Sequence, residues 1–70
     1  MNVVTKIAEH ICNKNIKVQL WKYKNVYDIV VMNKGKAKST KATNDISLAV
    51  TLFNEQIQIT KQNLIQEGNL

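Results

Sequence analysis

The sequence predicts an α+β domain of two layers, in which a three-stranded antiparallel sheet carries both helices on one face. Residues 3–12 and 44–67 each show an apolar stripe of helical spacing. Between them, the stretch NIKVQLWKYKNVYDIVVMNKGKAKSTKAT alternates apolar and polar residues and is interrupted by turn residues, as in consecutive hairpin strands. The predicted order is therefore α-β-β-β-α, within one domain that spans residues 1–70.

The first predicted element is a short helix over residues 3–12. Its apolar residues recur at i, i+3, i+4 and i+7, which is one helical stripe: Val4, Ile7, Ala8 and Ile11. The side chain of Asn2 can cap the first turn. Asn13 and Asn15 tolerate the left-handed backbone that commonly ends a helix.

Strands are predicted over residues 16–23 and 26–33, joined by the two-residue turn Lys24-Asn25. That turn places Tyr23 opposite Val26. The remaining pairs are then Val18–Val31, Leu20–Ile29, Trp21–Asp28, Gln19–Val30 and Lys17–Met32. A three-residue turn would slip the pairing and place Lys22 opposite Asp28.

The third predicted strand covers residues 36–42. It follows a turn over residues 33–36 in which Gly35 supplies a positive φ. The strand is short and polar, and its lysines are of the kind that discourages further pairing at the edge of a sheet.

The last predicted element is a helix over residues 44–67, capped by Thr43, Asn44 or Asp45 and stopped by Gly68. Its apolar stripe contains Ile46, Val50, Phe53, Ile57, Thr60 and Leu64. Such a helix is about 35 Å long, whereas strands of this size span about 25 Å. The last turns are therefore expected to project past the sheet and to offer Ile57 and Leu64 to a partner, unless they fray or bend back onto the first helix.

Both faces of the predicted sheet carry large apolar side chains. The helices are expected to cover Ile16, Val18, Leu20, Ile29 and Val31. The opposite face then exposes Trp21, Tyr23, Val26, Val30 and Met32, which is a composition typical of protein interfaces. Two other interpretations do not require an exposed binding surface. The hairpin can have a different register, or the stems of Lys17 and Lys22 can partly cover Trp21.

The chain has ten lysines, no arginine and a net charge of +5. Four lysines fall around the third strand: Lys34, Lys36, Lys38 and Lys41. They can contact the phosphates of a nucleic acid, or they can serve only to protect a sheet edge. The absence of arginine argues against base-specific recognition of DNA.

No catalytic residues, metal ligands or cofactor site are predicted. His10 and Cys12 are the only imidazole and thiol, and two residues apart on a helix they point in different directions, so they form no nucleophile–base pair. One cysteine, no signal-peptide pattern and no long apolar run predict a soluble cytoplasmic protein, with no membrane or small-molecule partner.

The segment from Gly35 to Thr43, GKAKSTKAT, together with the predicted element order, is similar to the double-stranded-RNA-binding domain. In that family a glycine-containing third strand leads into a lysine-rich start of the last helix. The resemblance implies that Lys38 and Lys41 contact phosphates across the major groove.

The whole chain also resembles small lysine- and asparagine-rich proteins of phages and prophages of low-GC Gram-positive bacteria, including some anti-CRISPR proteins. The segment Asp45 to Asn54, DISLAVTLFN, has this character. This resemblance implies a phage-encoded, non-catalytic protein that binds and modulates a host protein, or that forms a homodimer. The alternative is a nucleic-acid-binding protein that uses the four lysines.

Overall fold

The computed structural model describes residues 3–66. Four strands are followed by one helix: β1 (Val4–Ile11), β2 (Ile16–Tyr23), β3 (Val26–Asn33), β4 (Lys36–Thr43) and α1 (Ile46–Gln66). The strands form one antiparallel sheet in the order β1-β2-β3-β4, so each strand pairs with its neighbour in sequence. The molecule measures 42 × 23 × 15 Å, and its shortest dimension corresponds to one sheet layer and one helix layer.

The predicted α-β-β-β-α order is wrong, because the first element is a strand and not a helix. Within residues 3–66 the sheet consequently has four strands, and a single helix, α1, packs on it. The broad α+β class is correct. The β-β-β-β-α order also removes the architectural basis of the likeness to the double-stranded-RNA-binding domain.

A β-bulge explains why β1 has the apolar spacing of a helix. Lys6 pairs with Trp21 and Ala8 pairs with Leu20, so Ile7 is an extra residue without a partner in the ladder. An extra residue reverses the alternation of the two faces from that point onward. Val4 and Ile11, seven residues apart, therefore lie on the same face of the sheet, as they would on a helix.

The central hairpin has the predicted register. Tyr23 pairs with Val26, Val18 with Val31 and Trp21 with Asp28, so the slipped alternative is excluded. Positive φ angles of 55° at Lys24, 53° at Lys34 and 83° at Gly35 allow the two tight turns. Positive φ at both central residues of the second turn is the backbone pattern of a type I′ hairpin.

The core lies between the sheet and α1. Its buried residues are Val18, Leu20, Ile29, Ala49 and Ile57, with Ala8, Cys12, Tyr27, Val31, Leu52 and Phe53 packed against them. The helix packs mainly on β2, β3 and β4. It therefore covers the face that was predicted to be covered, although one helix and not two provides the cover.

Asp45 is the residue that caps α1. Its carboxylate accepts hydrogen bonds from the backbone amides of Ser47 (2.9 Å) and Leu48 (3.3 Å), which satisfies two free amides of the first turn. The hydroxyl of Thr43 in turn accepts a hydrogen bond from the Asp45 amide at 3.1 Å. The expected helix end at residue 67, the Gly68 stop and the Asn2 cap lie outside the described residues.

The last turns of α1 do not offer Ile57 and Leu64 to a partner, contrary to the prediction. Ile57 is only 7% exposed and Leu64 only 2%. Leu64 lines a cleft between α1 and the sheet together with Ile16, Val31 and Thr40. α1 packs on β2, β3 and β4, so its last turns lie against the sheet and do not overhang it.

Candidate binding surface

The face of the sheet opposite α1 is not covered by any element within residues 3–66. Side chains of directly paired residues lie on the same face, so the register assigns them. We call this surface the open face; its apolar members are Val4, Ile11, Trp21, Tyr23, Val26, Val30, Met32, Ala37 and Ala42. All five sheet residues predicted to form a protein-binding patch are among them.

The apolar side chains of the open face differ in how far they are exposed. Val4, Ile11, Tyr23 and Val26 are 56%, 61%, 40% and 43% exposed. Trp21 and Met32 are half-buried, whereas Val30 is only 9% exposed because its neighbours on the same face surround it. The open face therefore carries apolar side chains with polar ones between them, and the apolar residues at its rim are the most accessible.

A chain of polar side chains crosses the open face from β1 to β2. The indole Nε1 of Trp21 donates to Gln19 Oε1 at 2.9 Å, and Gln19 Nε2 donates to Glu9 Oε2 at 2.6 Å. Lys6 Nζ donates to the same carboxylate oxygen at 3.1 Å. These bonds satisfy the buried amide of Gln19 and fix the orientation of the Trp21 ring.

The same contacts change the acidity of Glu9. Hydrogen bonds from Gln19 and then from Lys6 stabilise the carboxylate, and they hold its pKa below the ordinary value of 4.5. Glu9 is therefore ionised at neutral pH and accepts both hydrogen bonds as an anion.

A shallow depression of about 290 Å³ lies at the centre of the open face. It is lined by Val4, Gln19, Trp21, Asp28, Val30, Met32 and Ala37. Asp28 is held at its edge by a hydrogen bond from the hydroxyl of Ser39. The depression is wide open and mostly apolar, so its shape fits a protruding apolar side chain better than an enclosed small molecule.

The four predicted lysines lie elsewhere. Lys38 pairs with Val31 and Lys41 with Ile29, so both project on the side of the sheet that carries α1. An irregularity at Thr40 keeps these lysines on one side although they are three residues apart. Lys34, Lys36 and Lys38 surround a second depression of about 430 Å³. We call Lys34, Lys36, Lys38 and Lys41 the lysine row; its strand members Lys36, Lys38 and Lys41 lie on the side of the sheet opposite the open face.

His10 and Cys12 are not on a helix, contrary to the prediction. His10 pairs with Val18 on the side of α1, and Cys12 follows β1 in the loop and packs against the core. Burial raises the pKa of the Cys12 thiol, which Lys61 partly offsets. Among residues 3–66, no three His, Cys, Asp or Glu side chains form a group that could hold a metal ion.

Sequence reasoning missed the part of the surface that β1 contributes: Val4, Lys6, Glu9 and Ile11. Assigning β1 to a helix concealed their position beside Trp21. One signal was available, since Val3-Val4-Thr5 and Ile11 are β-branched and favour strands over helices.

Comparison of the chain with family models, curated proteins and solved structures finds no match. Over residues 3–66, no helix has both the length and the apolar character needed to cross a membrane.

Proposed function

We propose that this chain is a non-catalytic binding protein whose open face contacts an apolar surface of a partner protein. The observation that carries the proposal is that α1 covers one side of the sheet, while Trp21, Tyr23, Val26 and Met32 share the side that it leaves uncovered. Apolar patches of this kind on small domains usually mark interaction sites. The likeness of the sequence to small phage proteins makes a host protein the expected partner.

The chemistry of the open face supports protein recognition. Trp21 and Tyr23 are among the residue types that supply most binding energy at protein interfaces. The hydrogen bonds from Trp21 to Gln19 and from Gln19 to Glu9 hold the indole in place before binding. A fixed side chain loses less conformational entropy when a partner packs on it.

The lysine row supports a second candidate, the binding of nucleic acid. Lys34, Lys36 and Lys38 converge on one depression, and closely spaced lysines displace counterions from phosphates. The aromatic residues of the open face are on the opposite side of the sheet, so they cannot stack on bases held by these lysines. This candidate therefore depends on phosphate contacts alone.

The two candidates are separated by a capture experiment with four immobilised forms of the protein. These are the wild type, Val26→Lys on the open face, Val50→Lys on α1 and the double variant Lys36→Ala/Lys38→Ala. Val26 and Val50 are a matched pair, because they are 43% and 46% exposed and receive the same charge. Circular dichroism and thermal unfolding first establish that each variant is folded.

If the open face binds a partner protein, the wild type, Val50→Lys and the lysine variant should retain a defined protein from the source cell. Val26→Lys should not retain it. Retention should change little with salt, because an apolar contact is screened weakly. Trp21→Ala should weaken the same complex by about 2 kcal/mol or more, which is about 30-fold.

The opposite outcome supports the nucleic-acid candidate. In that case the retained material is nucleic acid, the lysine variant loses it, and retention falls steeply as salt rises. Equal retention of a protein by Val26→Lys and by the wild type contradicts the first proposal directly.

A further inference from the structure

The two edges of the sheet are chemically different. β4 carries Lys36, Lys38 and Lys41, which discourage another strand from pairing with it. β1 is the other edge, and no described strand pairs with its outer side. Its large apolar residues are well exposed: Ile7 46%, Val4 56% and Ile11 61%. Beside these apolar residues β1 carries a single lysine, Lys6, against three on β4, so β1 is the less protected edge and the better template for another strand.

The bulge gives β1 a symmetrical arrangement of side chains on the open face. Before the bulge, Val4 and Lys6 lie on this face, and after it, Glu9 and Ile11 do. The order along the strand is therefore apolar, cationic, bulge, anionic, apolar. Residues three apart on a regular strand point to opposite faces, and the 3.1 Å contact between Lys6 and Glu9 confirms that the bulge brings them to one face.

We infer that β1 pairs in antiparallel fashion with β1 of a second copy of this chain, through a two-fold axis at the bulge between Ile7 and Ala8. In this register Lys6 lies opposite Glu9 of the second copy, and Glu9 lies opposite its Lys6. Val4 and Ile11 pair in the same way. Each charged side chain thus faces a side chain of opposite charge on the other copy, and each apolar side chain faces an apolar one.

Only the bulge makes this register possible. In a regular strand, residues whose numbers differ by an odd amount, such as 6 and 9, lie on opposite faces and cannot both face one side of a symmetrical pair. Because Ile7 is an extra residue in each copy, Lys6 and Glu9 lie on the same face and can pair across the axis. The register is thus a consequence of an irregularity that the monomer already contains.

The surroundings of β1 leave space for a second copy. The helix α1 packs mainly on β2, β3 and β4, so the sheet is least covered at β1. Pairing through β1 satisfies the outer backbone groups of both strands and gives a continuous eight-stranded sheet. Because β4 remains as the outer edge of each copy, the pairing closes as a dimer and does not extend into a fibre.

This inference is independent of the proposed function. The dimer leaves Trp21, Tyr23 and Met32 uncovered and places the two open faces side by side on one surface. Two copies of the binding surface then belong to one particle, which increases the avidity for a partner with two matching sites.

The test exchanges the charges that the register pairs, and the readout is the dissociation constant from sedimentation equilibrium of the full chain. Lys6→Glu places a carboxylate opposite Glu9 of the second copy, and Glu9→Lys places an ammonium group opposite its Lys6. Each variant alone should weaken the dimer at least tenfold. An equimolar mixture of the two variants should form a one-to-one heterodimer, because every facing pair is then of opposite charge.

Matched controls make the same charge changes away from β1. Lys36→Glu alters the opposite edge and Glu55→Lys alters α1; both should dimerise as the wild type does. Thermal unfolding shows whether Lys6→Glu and Glu9→Lys remain folded. Formation of the heterodimer itself shows that both variants can still dimerise. Val26→Lys, which changes the open face away from β1, should also leave the dimer intact.

Three results overturn the inference. The first is a wild type that stays monomeric at the highest concentration reached. The second is two single variants that dimerise as well as the wild type, or that weaken the dimer without forming a heterodimer when mixed. The third is loss of the dimer in Val26→Lys, which assigns self-association to the open face and not to β1.

Discussion

Glu9 connects the chemistry of single residues to the binding surface. Its carboxylate receives hydrogen bonds from Gln19 and Lys6, and Gln19 in turn accepts one from the Trp21 indole. The orientation of the one tryptophan in the chain therefore depends on an ionised group on the neighbouring strand. This dependence gives the open face a sensitivity to pH that its apolar residues alone would not have.

We expect Glu9→Gln to remove part of the pH dependence of stability. The pKa of Glu9 is lower in the folded chain than its ordinary value of 4.5. Its contribution is therefore fully present above that value and is lost as pH falls through the folded pKa. Thermal unfolding from about pH 6 to about pH 3 should show the wild type more stable at the upper end, with the two curves converging in acid.

The control for this experiment is Glu55→Gln, which removes one negative charge from an exposed position on α1. If the unfolding temperatures of Glu9→Gln and the wild type differ by a constant amount over the whole pH range, the hydrogen bonds of Glu9 do not contribute to stability in the way described.

At the scale of elements, the central hairpin was predictable and β1 was not. The Lys24-Asn25 turn and the alternation on either side of it fix the register of β2 and β3, and with it the composition of both faces. The apolar residues of β1 have the spacing of a helical stripe: Val4, Ile7, Ala8 and Ile11. A bulge at Ile7 interrupts the two-residue period of the strand, and the sequence pattern does not indicate that bulge.

The position of the last helix was predicted from periodicity, but its relation to the sheet was not, because the lengths of a helix and of strands do not fix where the helix lies on the sheet. α1 packs on β2, β3 and β4, and Ile57 and Leu64 are core residues. The open face itself was predictable, because the hairpin register alone places Trp21, Val30 and Met32 together.

Leu64 and Ile65 test how α1 packs along its length. Leu64 is 2% exposed and its neighbour Ile65 is 61% exposed. Leu64→Ala should lower the free energy of unfolding by about 2 kcal/mol or more, which is a fall in unfolding temperature of about 10 °C for a domain of this size. Ile65→Ala should change the free energy by no more than about 0.5 kcal/mol.

Chemical and thermal denaturation of the two variants measure this difference. Similar small effects for both substitutions would mean that the last turns of α1 do not pack on the sheet, and Leu64 would then be available to a partner after all.

At the scale of the whole molecule, each surface has a distinct character. The helix side of the sheet contains the core and the strand members of the lysine row, the open face carries Trp21 and Tyr23, and the β1 edge carries a self-complementary sequence of side chains. A chain of 70 residues buries only about 60% of its unfolded surface. Association through the open face or β1 would therefore add burial that the fold alone does not supply.

The open face should be accessible in the free protein, and the fluorescence of Trp21 tests this accessibility most directly because the chain has one tryptophan. Acrylamide should quench the native protein at low concentration, with a quenching constant between those of a free indole and a fully buried one. Val50→Lys, on the other side of the molecule, should give the same constant. A native protein that resists quenching until denaturant unfolds it would show that Trp21 is sealed within the chain and would contradict the account.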